Sequence, residues 1–187
     1  MDGIRAYLFS SHVTWWLIAV NMAVWCVILA GADPSATWLG CEAADVARRP
    51  WTLLTYSVTH AYASHLAVNC LTLAVAGCIV EHIDGPWRAL TLYAVCALAG
   101  AAAYVGLNMV AGVSYGVLTG ASAAILGMLA YAGCMAPRRL RLPLVVTVVV
   151  LLLLGLAGDN PGGTAAHLGG TATGVAVAWL TSRRNKC

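Results

Sequence analysis

Charge is what this sequence has least of: 9% of its 187 residues are Asp, Glu, Lys or Arg, while 61% are hydrophobic. Soluble domains carry roughly 25% charged residues. A water-soluble chain of this size could not hide so much apolar surface, so its solvent must be lipid. Nucleic acid is excluded as a partner, because the net charge is only +3 and the basic residues are scattered among loops without forming a stripe. C-x-x-C spacing is missing as well. Cys26, Cys41, Cys70, Cys78, Cys96, Cys134 and Cys187 stand singly, mostly in apolar stretches, and read as small membrane-helix residues, not as a disulfide or zinc framework. Cys187 is the last residue, whereas a prenylation box needs its cysteine fourth from the end. No small-x-small cleavage site follows the first apolar run, so that run is expected to remain as an anchor.

What is there is a set of apolar runs. A membrane-crossing helix needs about 20 apolar residues, within a range of about 17–25. Six runs fit, near residues 13–31, 55–80, 87–110, 118–135, 142–157 and 164–180. The expected fold is an all-α, six-span membrane bundle over residues 13–181, with a short N-terminal segment, 1–12, and a basic tail, 182–187. The fifth run is the purest, but at about 1.5 Å per residue it only just crosses the core. Trp38 and Trp51 make the first long loop amphipathic, so it is expected to lie in the membrane interface. With the N-terminus inside, eight basic residues are cytoplasmic: Arg5, Arg88, Arg138, Arg139, Arg141, Arg183, Arg184 and Lys186. Only Arg48 and Arg49 are outside, a bias that sets the orientation and puts both termini in the cytoplasm. The starts of spans 2, 4 and 6 then share the outer side, which brings His60, Ser122 and His167 to similar depth.

Polar residues inside spans mark function by default. A serine alone in a membrane helix ordinarily bonds its own backbone. A serine that meets a histidine base becomes a nucleophile, and Ser122 and His167 offer that pair. No acidic residue is obviously placed as a third member. Asp159, in the loop before span 6, is the candidate, and a dyad is the economical reading. Gly170, Gly174 and Ala178 follow His167 at offsets that keep one helical face, and Gly170-x-x-x-Gly174 invites close backbone approach. Span 4 is small on nearly every side, which suits a central position facing span 6. His65 and Asn69, four apart, share a face of span 2 and could donate to an oxyanion, as could backbone N–H groups at a helix start near Ser122. His60 is expected at the mouth of the pocket. His12 and His82 read as interfacial, and Glu81 and Arg88 as residues of the inner boundary. Three histidines at one depth could bind a metal, but their spacing matches no H-E-x-x-H pattern. No metal or cofactor is expected.

Four stretches together resemble the rhomboid family of intramembrane serine proteases. They are Pro50-Trp51-Thr52-Leu53-Leu54-Thr55-Tyr56, His60-x4-His65-x3-Asn69, Gly120-Ala121-Ser122-Ala123, and Ala166-His167-Leu168-Gly169-Gly170-x3-Gly174. The resemblance implies a six-helix core with Ser122 as nucleophile and His167 as base. It implies an oxyanion site from His65, Asn69 and the Ser122 backbone amide, with Gly120 and His60 beside it. Glu81 resembles a structural glutamate ending span 2, and Trp51 a residue of the membrane-embedded first loop. The implied substrates are single-span membrane proteins whose helix unwinds near the outer face. Three positions depart from the family pattern. Ala123 replaces the last glycine of the serine motif, Thr52 an arginine, and Leu126 an aromatic residue one turn after the nucleophile. A weakened relative that binds client helices is the rival reading, and a small transporter or metal carrier a third. The minimal layout fits a bacterial plasma membrane.

Overall fold

The computed structural model describes residues 11–31, 38–158 and 160–184. Asp159 and Cys187, like Arg5 and Lys186, lie outside these residues. Among the described residues, the main helices follow the expected order: α1 His12–Leu29, α2 Ala63–Asp84, α3 Pro86–Ala111, α4 Ser122–Met135, α5 Arg138–Ala157 and α6 Pro161–Arg184. A single helical turn, Thr52–Thr55, and a 3-10 turn, Tyr56–Val58, precede α2. Four helices, α1, α2, α3 and α5, are long and apolar enough to cross a membrane. The chain is therefore a helical bundle with the character of a multi-pass membrane protein. Helix α4 is apolar but has only 14 residues, and α6 is long but diluted by Gly, Thr and His.

Helix α4 is the axis of the bundle. Every residue from Ala123 to Gly133 is buried, and α2, α3, α5 and α6 all pack around it. Small side chains permit this, since they let neighbouring backbones approach closely. A Cβ at Gly170 would land on the carbonyl of Ala123, and one at Gly174 on the carbonyl of Gly127. The expected face-to-face contact of spans 4 and 6 is thus backbone against backbone. Helix α5 is peripheral. Among its residues only Leu144 and Val148 are buried, Leu151 and Leu152 pack partly against the core, and most of its other apolar side chains are exposed.

Several boundaries differ from those expected. Span 2 does not begin as helix near residue 55. The carbonyl of Tyr56 accepts from Thr59 N–H (3.1 Å), Thr59 Oγ1 (2.9 Å) and Gly120 N–H (3.0 Å), so the chain turns there and α2 starts at Ala63. Span 4 does not begin at Leu118. Leu118 instead pairs with Cys41 in an isolated antiparallel bridge (N···O 2.8 and 3.0 Å), and helix starts at Ser122 itself. Helix α5 begins four residues earlier than expected, with Arg138, Arg139 and Arg141 in the added turn, and its 20 residues measure roughly 30 Å at 1.5 Å per residue.

One end of the bundle gathers the start of α1 and the ends of α2, α4 and α6. Glu81, on the last turn of α2, accepts from Val13 N–H (3.0 Å), Thr14 N–H (2.9 Å) and Thr14 Oγ1 (2.8 Å). It caps α1 from another helix, satisfying N–H groups that have no intrahelical partner. Tyr131 Oη donates to Asp84 Oδ2 (2.6 Å), and Ser182 Oγ to Met135 Sδ (3.5 Å). The basic residues Arg88, Arg138 and Arg183 belong to helix termini at this end. The first loop belongs to the other end. Trp38 and Trp51 stack there with ring centroids 5.5 Å apart, Trp51 Nε1 donates to the Trp38 carbonyl (3.1 Å), and both rings remain half exposed.

Candidate active site

The segment before α4 explains why Ser122 is presented as it is. Residues 118–121 are held at both sides, Leu118 by the bridge to Cys41 and Gly120 by its N–H bond to the Tyr56 carbonyl. Gly120 has φ +104°, a conformation in which side chains are strained. A Cβ there would also lie 2.5 Å from His65 Cε1 and 2.6 Å from His65 Nε2. The bare face of Gly120 is thus where His65 rests. Ser122 follows as the first residue of α4, where backbone N–H groups have no partner within the helix and the helix dipole favours negative charge.

His167 stands on the second turn of α6. Its Nε2 lies 2.7 Å from Ser122 Oγ, the distance of a good hydrogen bond. With the serine hydroxyl donating, the neutral ring carries its proton on Nδ1. That nitrogen has no hydrogen-bond partner among the described residues. The ring edge faces Gly155 of α5, where a Cβ would stand 3.1 Å from Nδ1. Beside it, Thr164 Oγ1 donates to the Gly155 carbonyl (3.0 Å). The two residues expected to meet do meet, although they are 45 positions apart.

Two cavities flank this pair, and both are lined by His65, Ser122 and His167. One, of about 270 Å³, adds Asn69 and the apolar side chains Val68, Leu151 and Leu154, and runs between α2 and α5. The other, of about 300 Å³, adds Tyr62, Thr119 and Asn160 and lies beyond the start of α4. The pair therefore has an apolar approach on one side and a more polar one on the other.

His60 is the expected residue whose position differs most. It lines neither cavity and is only 2% exposed. Asn69 Nδ2 donates to its Nε2 (2.9 Å), and its ring meets His65 edge-on with centroids 5.0 Å apart. Its place is behind Asn69 and not at the mouth, because the turn at Tyr56–Val58 folds it inward. The mouth is occupied by Tyr62, 59% exposed, whose ring lies 5.4 Å from His65. Tyr56 is a second residue whose position the sequence alone did not reveal. Its carbonyl holds Gly120, and its hydroxyl donates to the Ala97 carbonyl (2.8 Å). Its place in a run of mixed polarity just before a span was the available signal. Among the described residues, no three His, Cys, Asp or Glu side chains cluster closely enough to hold a metal ion.

The order of these parts along the chain matches a known family. The family model described as Rhomboid domain matches residues 47–184. The chain belongs to the rhomboid family. A search of curated proteins finds no significant match.

Within this rhomboid, the three departures can be placed. The Ala123 methyl is 1% exposed and lines neither cavity. It points to Gly100 of α3, whose missing Cβ would lie 2.6 Å away. The methyl therefore faces α3, away from both cavities. Leu126 is buried and forms part of the apolar cavity wall. Thr52 is buried, with its hydroxyl donating to the Arg49 carbonyl (2.7 Å). Arg49 itself pairs with Asp45 and Glu42, so a guanidinium is present in the first loop three residues before the departing position.

Proposed function

We propose that this protein is an intramembrane serine protease that cleaves single-span membrane proteins near the outer face of the bilayer. The observation that carries the reading is the 2.7 Å contact of Ser122 Oγ with His167 Nε2 beside a cavity that His65 and Asn69 also line. In the reaction, His167 Nε2 takes the hydroxyl proton as Oγ attacks the substrate carbonyl carbon. The oxyanion then receives hydrogen bonds from the Ser122 backbone N–H, the second N–H of Asn69 and a His65 ring N–H, donors already in place before charge develops. His167 gives its proton to the leaving amine, leaving an ester on Ser122. Water then attacks that ester with His167 again as base, releasing the new carboxylate and restoring the hydroxyl.

The short axis helix supports the proposed depth. Fourteen residues span roughly 21 Å at 1.5 Å per residue, against a hydrocarbon core of about 30 Å. In a six-span arrangement Ser122 lies below the membrane surface, reached by water over the polar cavity and by a substrate helix through the gap between α2 and α5. A helix entering there must unwind to offer a peptide bond, so small helix-breaking residues are the favoured cleavage sequence. Positive charge at the opposite end puts that end in the cytoplasm and the dyad toward the outer side of what we take to be a bacterial plasma membrane.

The experiment is cleavage of a panel of single-span reporters by purified wild type, Ser122→Ala and His167→Ala. Cleavage by wild type alone is expected, with both variants down by at least ~10⁴-fold. Binding of reporters by all three without cleavage would replace the protease by a client-binding protein, and normal cleavage by His167→Ala would remove the dyad.

A further inference from the structure

The residue that follows the nucleophile is held between two glycines on two different helices. On one side, the carbonyl of Ala123 occupies the space where a Gly170 Cβ would be. On the other, the Ala123 methyl faces the missing Cβ of Gly100, at 2.6 Å. Gly100 is buried in the middle of α3, and its bare face meets two further groups. An added Cβ would lie 3.0 Å from the Ala166 carbonyl and 3.0 Å from Tyr56 Oη. Ala166 immediately precedes His167, and the Tyr56 carbonyl holds Gly120 in front of Ser122. Gly100 is thus the point at which α3 touches the immediate neighbour of the nucleophile, the immediate neighbour of the base and the residue that supports the loop before them.

We propose that Gly100 is a positioning residue for the Ser122–His167 pair, and that its lack of a side chain is the counterpart of the alanine at position 123. Close-packed interiors have no slack to absorb an extra methyl. A Cβ at position 100 moves Ala123 or Ala166. Ala123 cannot retreat, because Gly170 of α6 already abuts its carbonyl. The displacement passes to the start of α4 or to the second turn of α6, and in either case changes the spacing of the two reacting atoms. A glycine at position 123 would leave a gap opposite Gly100, so the two positions together hold one methyl. Which side carries it matters less than their sum.

This inference rests on the protease reading for its rate measurements, so the test also includes a measurement that does not. Gly100→Ala, Ala123→Gly and the double variant G100A/A123G are compared with wild type in detergent. Gly100→Ala is expected to lower kcat by at least ~10-fold with little change in KM, since misplacement of reacting groups by about 1 Å costs up to ~10²-fold. Ala123→Gly removes the methyl and leaves a gap without crowding either neighbour, so its kcat is expected to fall less than that of Gly100→Ala. The double variant moves the methyl across the interface and is expected to recover most of the lost kcat. In parallel, the 15N resonance of His167 Nε2 reports its bond to Ser122 without turnover. It should shift in G100A and return in the double variant. If G100A does not fold, the double variant alone decides. Near-wild-type kcat and an unshifted His167 resonance support the proposal, and a folded double variant with a displaced resonance and low kcat overturns it. Full activity of G100A with an unshifted resonance also overturns it. A wild type that cleaves nothing, with the resonance still following the expected pattern, would remove the protease reading and leave the positioning role standing.

Discussion

Gly120 and His60 illustrate how much of this site is decided one residue at a time. Gly120 combines φ +104° with His65 packed on its bare face. An alanine there is strained by about 1–2 kcal/mol from its backbone conformation alone, and its methyl pushes His65 away from the nucleophile. Gly120→Ala is expected to keep its helical circular dichroism while losing at least ~10²-fold in cleavage rate. A variant that cleaves at half the wild-type rate would show that His65 has no required position. His60 acts at the same scale from behind, through its bond to Asn69. Both histidines were evident as candidates in the sequence, because ionisable groups in apolar runs are conspicuous. Which of them faces the cavity was not, since that depends on the turn at Tyr56–Val58 and on the hydrogen bonds of its carbonyl.

At the scale of elements, helix existence and order were legible, and so were the starts of α1 and α3 to within a residue, but those of α2, α4 and α5 were not. Hydropathy reports which residues face lipid, but Leu118–Ala121 carries no charge that would set it apart from the apolar helix that follows it. What ends the extended segment is its pairing with Cys41 and Tyr56, residues more than 60 positions away. Helix α1 shows the same dependence. Its first turn carries no acidic residue of its own, and the carboxylate that serves it comes from Glu81 at the end of α2. Capping and charge–dipole effects are each worth about 1–2 kcal/mol in partly buried settings. Glu81→Ala is therefore expected to lower the thermal midpoint in detergent, and Glu81→Gln, which keeps one acceptor, to lower it less. The folded fraction of both should cleave at the wild-type rate, because the cap is at the end of the bundle remote from Ser122. Equal stability of the alanine variant and wild type would make the cap incidental.

The whole molecule is arranged around one small-residue axis. Ala123, Gly127, Gly170 and Gly174 bring the backbones of α4 and α6 into contact, and the four helices packed on that axis define two ends of different chemistry. Basic termini gather at one, and the dyad with its tryptophan-bearing loop at the other. This polarity predicts topology. A fluorescent protein fused after Arg184 should fluoresce in bacterial cells, while alkaline phosphatase fused there should stay inactive. The same reporters placed in the loop at 112–117 should give the reverse. The opposite result in both pairs would invert the molecule and put the dyad on the cytoplasmic side.

The sequence by itself determined the solvent, the order of the helices, the family resemblance and the serine and histidine that meet. These follow from composition and from spacing, which survive without knowledge of contacts. Tertiary structure alone decided that α4 begins at Ser122, that His60 supports Asn69 from behind, and that the Ala123 methyl turns toward Gly100 and away from the cavities. The physical reason is common to all three. Each depends on a hydrogen bond or a missing Cβ contributed by another element, and such partners leave no mark in local hydropathy or periodicity.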